Sequence, residues 1–308
     1  MSHLNYLSDH SPVDCVTIVG NCQAPVLAKI IKACSIPNLE VNSFILHRDS
    51  HDKLNDLVES QNSTILAVPF NSVIGNASFS WHHLSQRYPL SKIHMITNAF
   101  FEGYHPYWGY FYNSKGKKIY PDWDDYINYF IVSKYLKGRT SDLSSALIFE
   151  EMLDRNIYEA IWSRSQAELA KRELESASIT NIASLLDISG VEHDQLFWTC
   201  NHPTRKIFDY MILQIFDCLG IDIKSVHTLQ SMSSYEFLSK TKIPIYSQLN
   251  NKINANFSNA NYIFKGEVYS WEEVVQMHLI FLEKQDMADI DYSLHHYVET
   301  RPELISIL

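Results

Sequence analysis

Two hydrophobic periods alternate along the first hundred residues. Cys15-Val16-Thr17-Ile18-Val19 is a near-continuous apolar run that stops at Gly20, as expected of a strand buried on both faces. Pro25 then suits the first turn of a helix, where its missing N–H has no partner to lose. Val26, Leu27, Ile30, Ile31 and Cys34 follow at the spacing of one helical face. The theme repeats, with strands expected from Glu40 to Leu46, Ser63 to Val68 and Lys92 to Thr97. Helices are expected from about Ser50 to Ser60 and through Trp81-His82-His83-Leu84. Strands joined by helical crossovers predict an α/β fold with an open, mostly parallel sheet of flavodoxin-like or doubly wound type.

From Asp122 onward the pattern turns helical. Leu147, Ile148, Met152, Ile157, Ile161 and Trp162 fall at helix-compatible spacing, followed by a charged stretch from Glu168 to Glu175. Gln195 to Cys200 reads as a late strand ending at Asn201-His202-Pro203-Thr204. An apolar helix follows through Ile207, Tyr210, Met211, Leu213, Ile215 and Leu219, with Gly220 placed to stop it. Ser270 and Glu273 form a capping box at the start of a C-terminal helix. The expected organisation is one α/β unit over 1–308. Its sheet core covers about 12–112 and 194–230, with a helical insertion over about 122–190 and a mainly helical region over 231–308.

Composition narrows the class. With 46% hydrophobic and 19% charged residues, the chain belongs among ordinary globular proteins able to bury a full core. A net charge of -10 argues against nucleic-acid binding, which needs a basic surface to displace counterions from phosphates. No apolar run approaches the length of about 20 residues that a membrane helix needs, and Met1 to Val13 does not read as a signal peptide. The 5 cysteines are odd in number and scattered, which fits neither a disulfide framework nor a metal cluster, so a reducing cytoplasm is the expected compartment. His82 with His83, and His295 with His296, are adjacent and would diverge on a helix, so no metal is expected.

The candidate chemistry gathers where strands should end, since ligands of open parallel sheets bind outside the carboxyl ends of the strands. Gly20-Asn21-Cys22-Gln23 lies at such an end. There Gly20 allows a sharp turn, the helix dipole favours a thiolate on Cys22, and Asn21 and Gln23 supply side-chain donors beside the turn amides that an oxyanion would need. Free cysteine is by type a buried packing residue, and Cys15, Cys34, Cys200 and Cys218 are read that way. Two His-Pro pairs, His105-Pro106 and His202-Pro203, stand in loops expected after strands and are the candidate proton carriers, although each taken alone also fits an ordinary loop histidine. Lys115, Lys117 and Lys118 share a Gly-containing loop whose default reading is a solvated surface, while Arg205 and Lys206 open a helix. Together these cations would suit a phosphorylated cofactor. The aromatic run from Phe100 to Phe130 reads mainly as packing, with room for a platform under a sugar ring or an adenine.

Three of these segments are familiar in combination. Val19-Gly20-Asn21-Cys22-Gln23, Phe100-Phe101-Glu102-Gly103-Tyr104-His105-Pro106 and Asn201-His202-Pro203-Thr204 with its apolar helix resemble the WcbI family of polysaccharide-biosynthesis acetyltransferases, over Val19 to about Leu219. The resemblance implies an enzyme that binds coenzyme A or acetyl-coenzyme A and acylates a hydroxyl of a capsular or surface polysaccharide or its precursor. It implies an active centre at Cys22, with Asn21, Gln23, His105 and His202 around it, and Gly20 and Asn201 join Asn21 and Gln23 as expected oxyanion or substrate contacts. The turn also looks like the Gly-Asp-Ser block of SGNH hydrolases, with Asn21 for the acid and Cys22 for the serine. The chain lacks an evident Asp-x-x-His block, so a standard hydrolase triad does not follow. An esterase or deacetylase acting on glycans, and a non-catalytic binding protein of a glycan-assembly complex, are the alternatives. A homo-oligomer is open.

Overall fold

In the computed structural model, the residues described are 13–46, 49, 54–55, 64–68, 70–74, 77–79, 81–143, 155–186, 195–222, 236–245 and 261–305. The helix expected from about Ser50 to Ser60 falls outside them apart from Leu54 and Asn55, as do Leu147, Ile148 and Met152. The chain divides into two compact units. The first takes Met1–Asn98, Ala170–Ile182 and Arg205–Tyr235, and the second Ala99–Leu169, Ala183–Thr204 and Glu236–Leu308.

The first unit is built on a parallel sheet of four strands, β1 (Cys15–Gly20), β2 (Glu40–Ile45), β3 (Thr64–Ala67) and β4 (Lys92–Met95), in the order β2-β1-β3-β4. The α/β fold with a flavodoxin-like sheet is therefore present. Every residue of β1 is buried, as its unbroken apolar run requires of a central strand. Its register runs from Cys15 opposite Glu40 to Gly20 opposite Ile45 on one side, and from Val16 opposite Thr64 to Val19 opposite Ala67 on the other. Helix α1 (Gln23–Ala33) follows and buries Val26, Leu27, Ile30 and Ile31, the face its spacing predicts. Helix α2 (Trp81–Arg87) precedes β4.

Helix α3 (Tyr129–Leu136) belongs to the second unit and is capped by the Asn128 side chain, which accepts from the amides of Phe130 and Ile131. Helix α4 (Arg155–Glu175) carries the expected Ile161 and Trp162, both buried. Helix α5 (Arg205–Leu219) returns to the first unit and stops at Gly220, whose φ of 67° lies in the left-handed region. The second unit ends on α6 (Trp271–Leu282), which opens with the expected Ser270–Glu273 capping box, and α7 (Met287–Glu299).

The second unit holds its strands as short antiparallel pairs. Trp108–Gly109 pairs with Ile127–Asn128, Phe111–Tyr112 with Lys118–Ile119, and Tyr262–Phe264 with Glu267–Tyr269. The late strand is Phe197–Thr199, and the correction concerns its partner. It pairs antiparallel with His202–Pro203 across a tight turn instead of extending the parallel sheet. A two-residue connection can only close a hairpin, because a parallel neighbour needs a long crossover. The core of this unit is aromatic, with Trp108, Phe111, Tyr126, Tyr129 and Phe130 all at 1% exposure or less.

Candidate functional site

Cys22 stands at the carboxyl edge of the sheet, where β1, β3 and β4 all end. The chain turns there because Gly20 has no side chain. A Cβ at this position would come 2.8 Å from Val68 Cγ2 and 3.2 Å from Val68 Cβ. Cys22 is the N-cap residue of α1, with φ -57° and ψ -15°, and its side chain is partly exposed. It thus sits at the positive end of the helix dipole.

Two of the turn amides expected to be free at this point are taken. Asn21 Oδ1 accepts from the Gln23 amide at 2.9 Å, and the Asn21 carbonyl accepts from the Ala24 amide at 3.1 Å. The next residue is Pro25, which has no N–H. The physical reason is that an Asn just before a helix is a strong capping residue, and its oxygen reaches the first-turn amides before any ligand does. The role expected of Gln23 also changes, for its side chain is fully buried. Asn21 keeps a donor, because its Nδ2 bonds Asn98 Oδ1 at 3.1 Å with one of its two hydrogens.

Asn98 follows β4 and is held from behind. The amide of its neighbour Thr97 donates to Thr180 Oγ1 at 2.7 Å, and the Thr97 hydroxyl lies 2.6 Å from the Thr180 carbonyl and 3.1 Å from Glu173 Oε1. Glu173 is buried and also accepts the Ile182 amide at 2.6 Å. Sequence reading missed Asn98, since nothing in Ile96-Thr97-Asn98 marks it apart from its place after a strand.

The other cysteines of this unit are poorer nucleophiles. Burial pushes the Cys15 and Cys34 thiols up from their ordinary value. Cys218 is exposed on α5, with Sγ 3.8 Å from His94 Nδ1, and desolvation together with Asp217 raises its pKa too. Arg205 does not offer itself to a phosphate as expected. It is 3% exposed, and its Nε pairs with Asp209 Oδ1 one helical turn on, at 2.5 Å. Lys206 is exposed.

The remaining candidates belong to the second unit. His105 is wholly enclosed rather than standing in an open loop. Burial holds its pKa down to about 3, which the Phe197 backbone offsets only in part. His202 is partly exposed in its hairpin, with its ring edge-on to Tyr126 at 6.1 Å. Burial lowers its pKa while Asp124 and Asp125 work to raise it. Asn201 is committed to the tyrosines around it. Its Nδ2 donates to Tyr110 Oη at 2.7 Å, and its Oδ1 accepts from Tyr126 Oη.

The loop cations divide. Lys115 and Lys117 are exposed in a turn whose amides are held by Asn113 Oδ1. Lys118 folds back onto the Tyr110 ring at 3.5 Å and pairs with Asp125 at 3.1 Å. Glu102, which sequence reading passed over, is a buried carboxylate held by Arg164 at 3.1 Å and by Arg301. Among the described residues, no three His, Cys, Asp or Glu side chains converge as metal ligands would, and no helix is long and apolar enough to cross a membrane.

Fold and site together define an α/β protein that carries a partly exposed cysteine at the carboxyl edge of a parallel sheet. The family model for the polysaccharide biosynthesis enzyme WcbI matches residues 15–223. The chain belongs to the WcbI family of polysaccharide biosynthesis enzymes. A solved structure of WcbI, described as a novel polysaccharide biosynthesis enzyme, superposes with a TM-score of 0.78 at 19% identity, covering 96% of this chain and 98% of that one. That structure is of the native protein without a disulfide bond between coenzyme A and one of its cysteines. No curated protein sequence matches the chain.

Proposed function

We propose that this protein transfers an acyl group, in the first instance acetyl, from acyl-coenzyme A to a hydroxyl of a polysaccharide or its precursor, with Cys22 at the reacting centre. The observation that carries the reading is the placement of Cys22, a partly exposed thiol at the amino end of α1 and at the sheet edge where ligands of parallel α/β folds bind. The related WcbI structure names coenzyme A together with a cysteine. In this chain Cys15, Cys34 and Cys200 are buried and Cys218 lies on α5 beside His94, so the reading gives the corresponding role to Cys22, the partly exposed thiol at the end of β1.

Acyl transfer passes through a tetrahedral intermediate whose oxygen carries negative charge. With the Gln23 and Ala24 amides already bonded to Asn21, a donor of this turn suited to that oxygen is the second Nδ2 hydrogen of Asn21. A proton must also leave the acceptor hydroxyl, which calls for a general base. Lys115, Lys117 and Lys206 are exposed cations of the kind that bind the phosphates of coenzyme A.

The test is turnover of labelled acetyl-coenzyme A with a glycan acceptor pool, followed by acid quench and peptide mapping. Wild-type protein is expected to label the glycan, and Cys22→Ala to lose at least about 100-fold in rate, the scale of removing a nucleophile or a principal transition-state contact. Label on the Cys22 peptide marks a thioester route, whereas labelled glycan with an unlabelled peptide marks direct attack. Release of acetate from acetylated glycan without coenzyme A would make the protein an esterase, and full turnover by Cys22→Ala would remove Cys22 from the chemistry.

A further inference from the structure

The Asn21–Asn98 bridge joins residues 77 positions apart, from strands that are not neighbours, since β3 lies between β1 and β4. Its polarity is fixed from one end. Asn21 must present Oδ1 to the Gln23 amide, so its Nδ2 faces Asn98, and Asn98 must answer with its own oxygen. The Asn98 end is itself anchored, because Thr97 is locked through Thr180 to Glu173. Nothing in β-sheet pairing requires such a bridge. The ladder is already continued past the strand ends by Leu46 N–H to the Gly20 carbonyl, Val68 N–H to Val19 and Ile96 N–H to Ala67.

We propose that Asn98 is a positioning residue for the Cys22 turn: it holds the Asn21 side-chain amide in the one orientation that caps α1, sets Cys22 at the helix amino end and leaves the second Nδ2 hydrogen of Asn21 available. The inference deepens the acyl-transfer reading of the same site, but it concerns the state of the thiol and stands on the geometry of the first unit. Asn98 acts on Cys22 only through Asn21. Without it the Asn21 amide can rotate about its terminal bond, the Gln23 amide loses its partner part of the time, and the turn that carries Cys22 loosens.

The test is a double-mutant cycle with thiol chemistry as the readout. In the full chain carrying Cys218→Ser, which removes the other exposed thiol, the rate of Cys22 reaction with a small neutral disulfide is followed against pH and located by peptide mass. Asn98→Ala is expected to move the midpoint of that profile upward by roughly half a pH unit, the scale of a charge–helix-dipole interaction. Reaction near pH 7 should slow about threefold as a result. In an Asn21→Ala background the same substitution should add nothing, because its route of action is gone.

An unchanged midpoint in Asn98→Ala overturns the proposal, and so does a full second shift in the Asn21→Ala background. A merely structural role would lower the melting temperature without moving the midpoint. The two readings fail separately. Loss of the acyl-transfer result with the midpoint shift intact removes the reaction and keeps Asn98 in its role, whereas transfer with an unmoved midpoint removes only Asn98.

Discussion

Gly20 and Asn21 each answer a local constraint of the turn. At Gly20 the constraint is space, since the added Cβ of Gly20→Ala would meet Val68 at 2.8 Å, and a β-branched neighbour packed in the sheet cannot turn away cheaply. Gly20→Ala is expected to destabilise the protein by about 1–3 kcal/mol, read as a melting temperature lower by several degrees. A melt identical to wild type would show that Val68 gives way. At Asn21 the constraint is a cap. The sequence marks Gly-Asn-Cys-Gln as a turn between a strand and a helix, and that much was legible, because a glycine and an asparagine follow an apolar run and precede Pro25. Which amides remained free was not legible. A side chain that donates in one arrangement accepts in another, and the arrangement here involves Asn98, 77 residues away. Arg205 follows the same logic, for its position at a helix start suggested a ligand, whereas its i,i+4 partner Asp209 claims it.

Helix α6 shows how an element stores a pH dependence. His278 is fully buried on it, with Nε2 accepting from the Asn128 amide at 2.9 Å and Nδ1 2.7 Å from the Val274 carbonyl. This fixes the neutral tautomer and ties α6 to the cap of α3. Burial lowers its pKa from 6.5 to about 4, against a smaller opposing effect of the Val274 hydrogen bond. Above pH 6.5 the folded and unfolded chains both hold the ring neutral, and its contribution is whole. As the pH falls from 6.5 toward 4 the unfolded chain takes up a proton that the folded one refuses, so stability drops by about 3 kcal/mol over that window. Chemical denaturation at pH 7.5 and pH 4.5 should show the loss. His278→Gln, which keeps an acceptor for Asn128 and cannot ionise, should show a smaller one. His105 acts in the same direction, so part of the dependence remains in the variant. An equal loss in both proteins would assign it elsewhere.

At the scale of the whole molecule the two units differed in how well they could be read. The parallel sheet and α1 stand close to where their periods place them, because a central strand buried on both faces and an amphipathic helix are long, unmixed signals. The second unit gives no such signal. Several of its strands are only two residues long, too short for any period, and its core is assembled from aromatics scattered between Tyr107 and Tyr297. Its buried ion network was equally hidden, since Glu102 meets Arg164 and Arg301 only through the fold, at separations of 62 and 199 residues. Within the site, the cysteine and its turn were legible from local sequence. The Asn98 bridge and the enclosure of His105 were not, because both depend on what the fold brings alongside. The family match runs from residue 15 to residue 223 and so takes in parts of both units.

The claim on which the account turns is that the Cys22 centre works on a coenzyme A thioester, and coenzyme A binding tests it most directly. The full chain should be melted in reductant with and without coenzyme A at a concentration well above any plausible dissociation constant. A ligand that binds only the folded state at a hundredfold excess adds about 2.7 kcal/mol, so a rise of about 5 °C is expected. A melt unmoved by saturating coenzyme A would contradict the account.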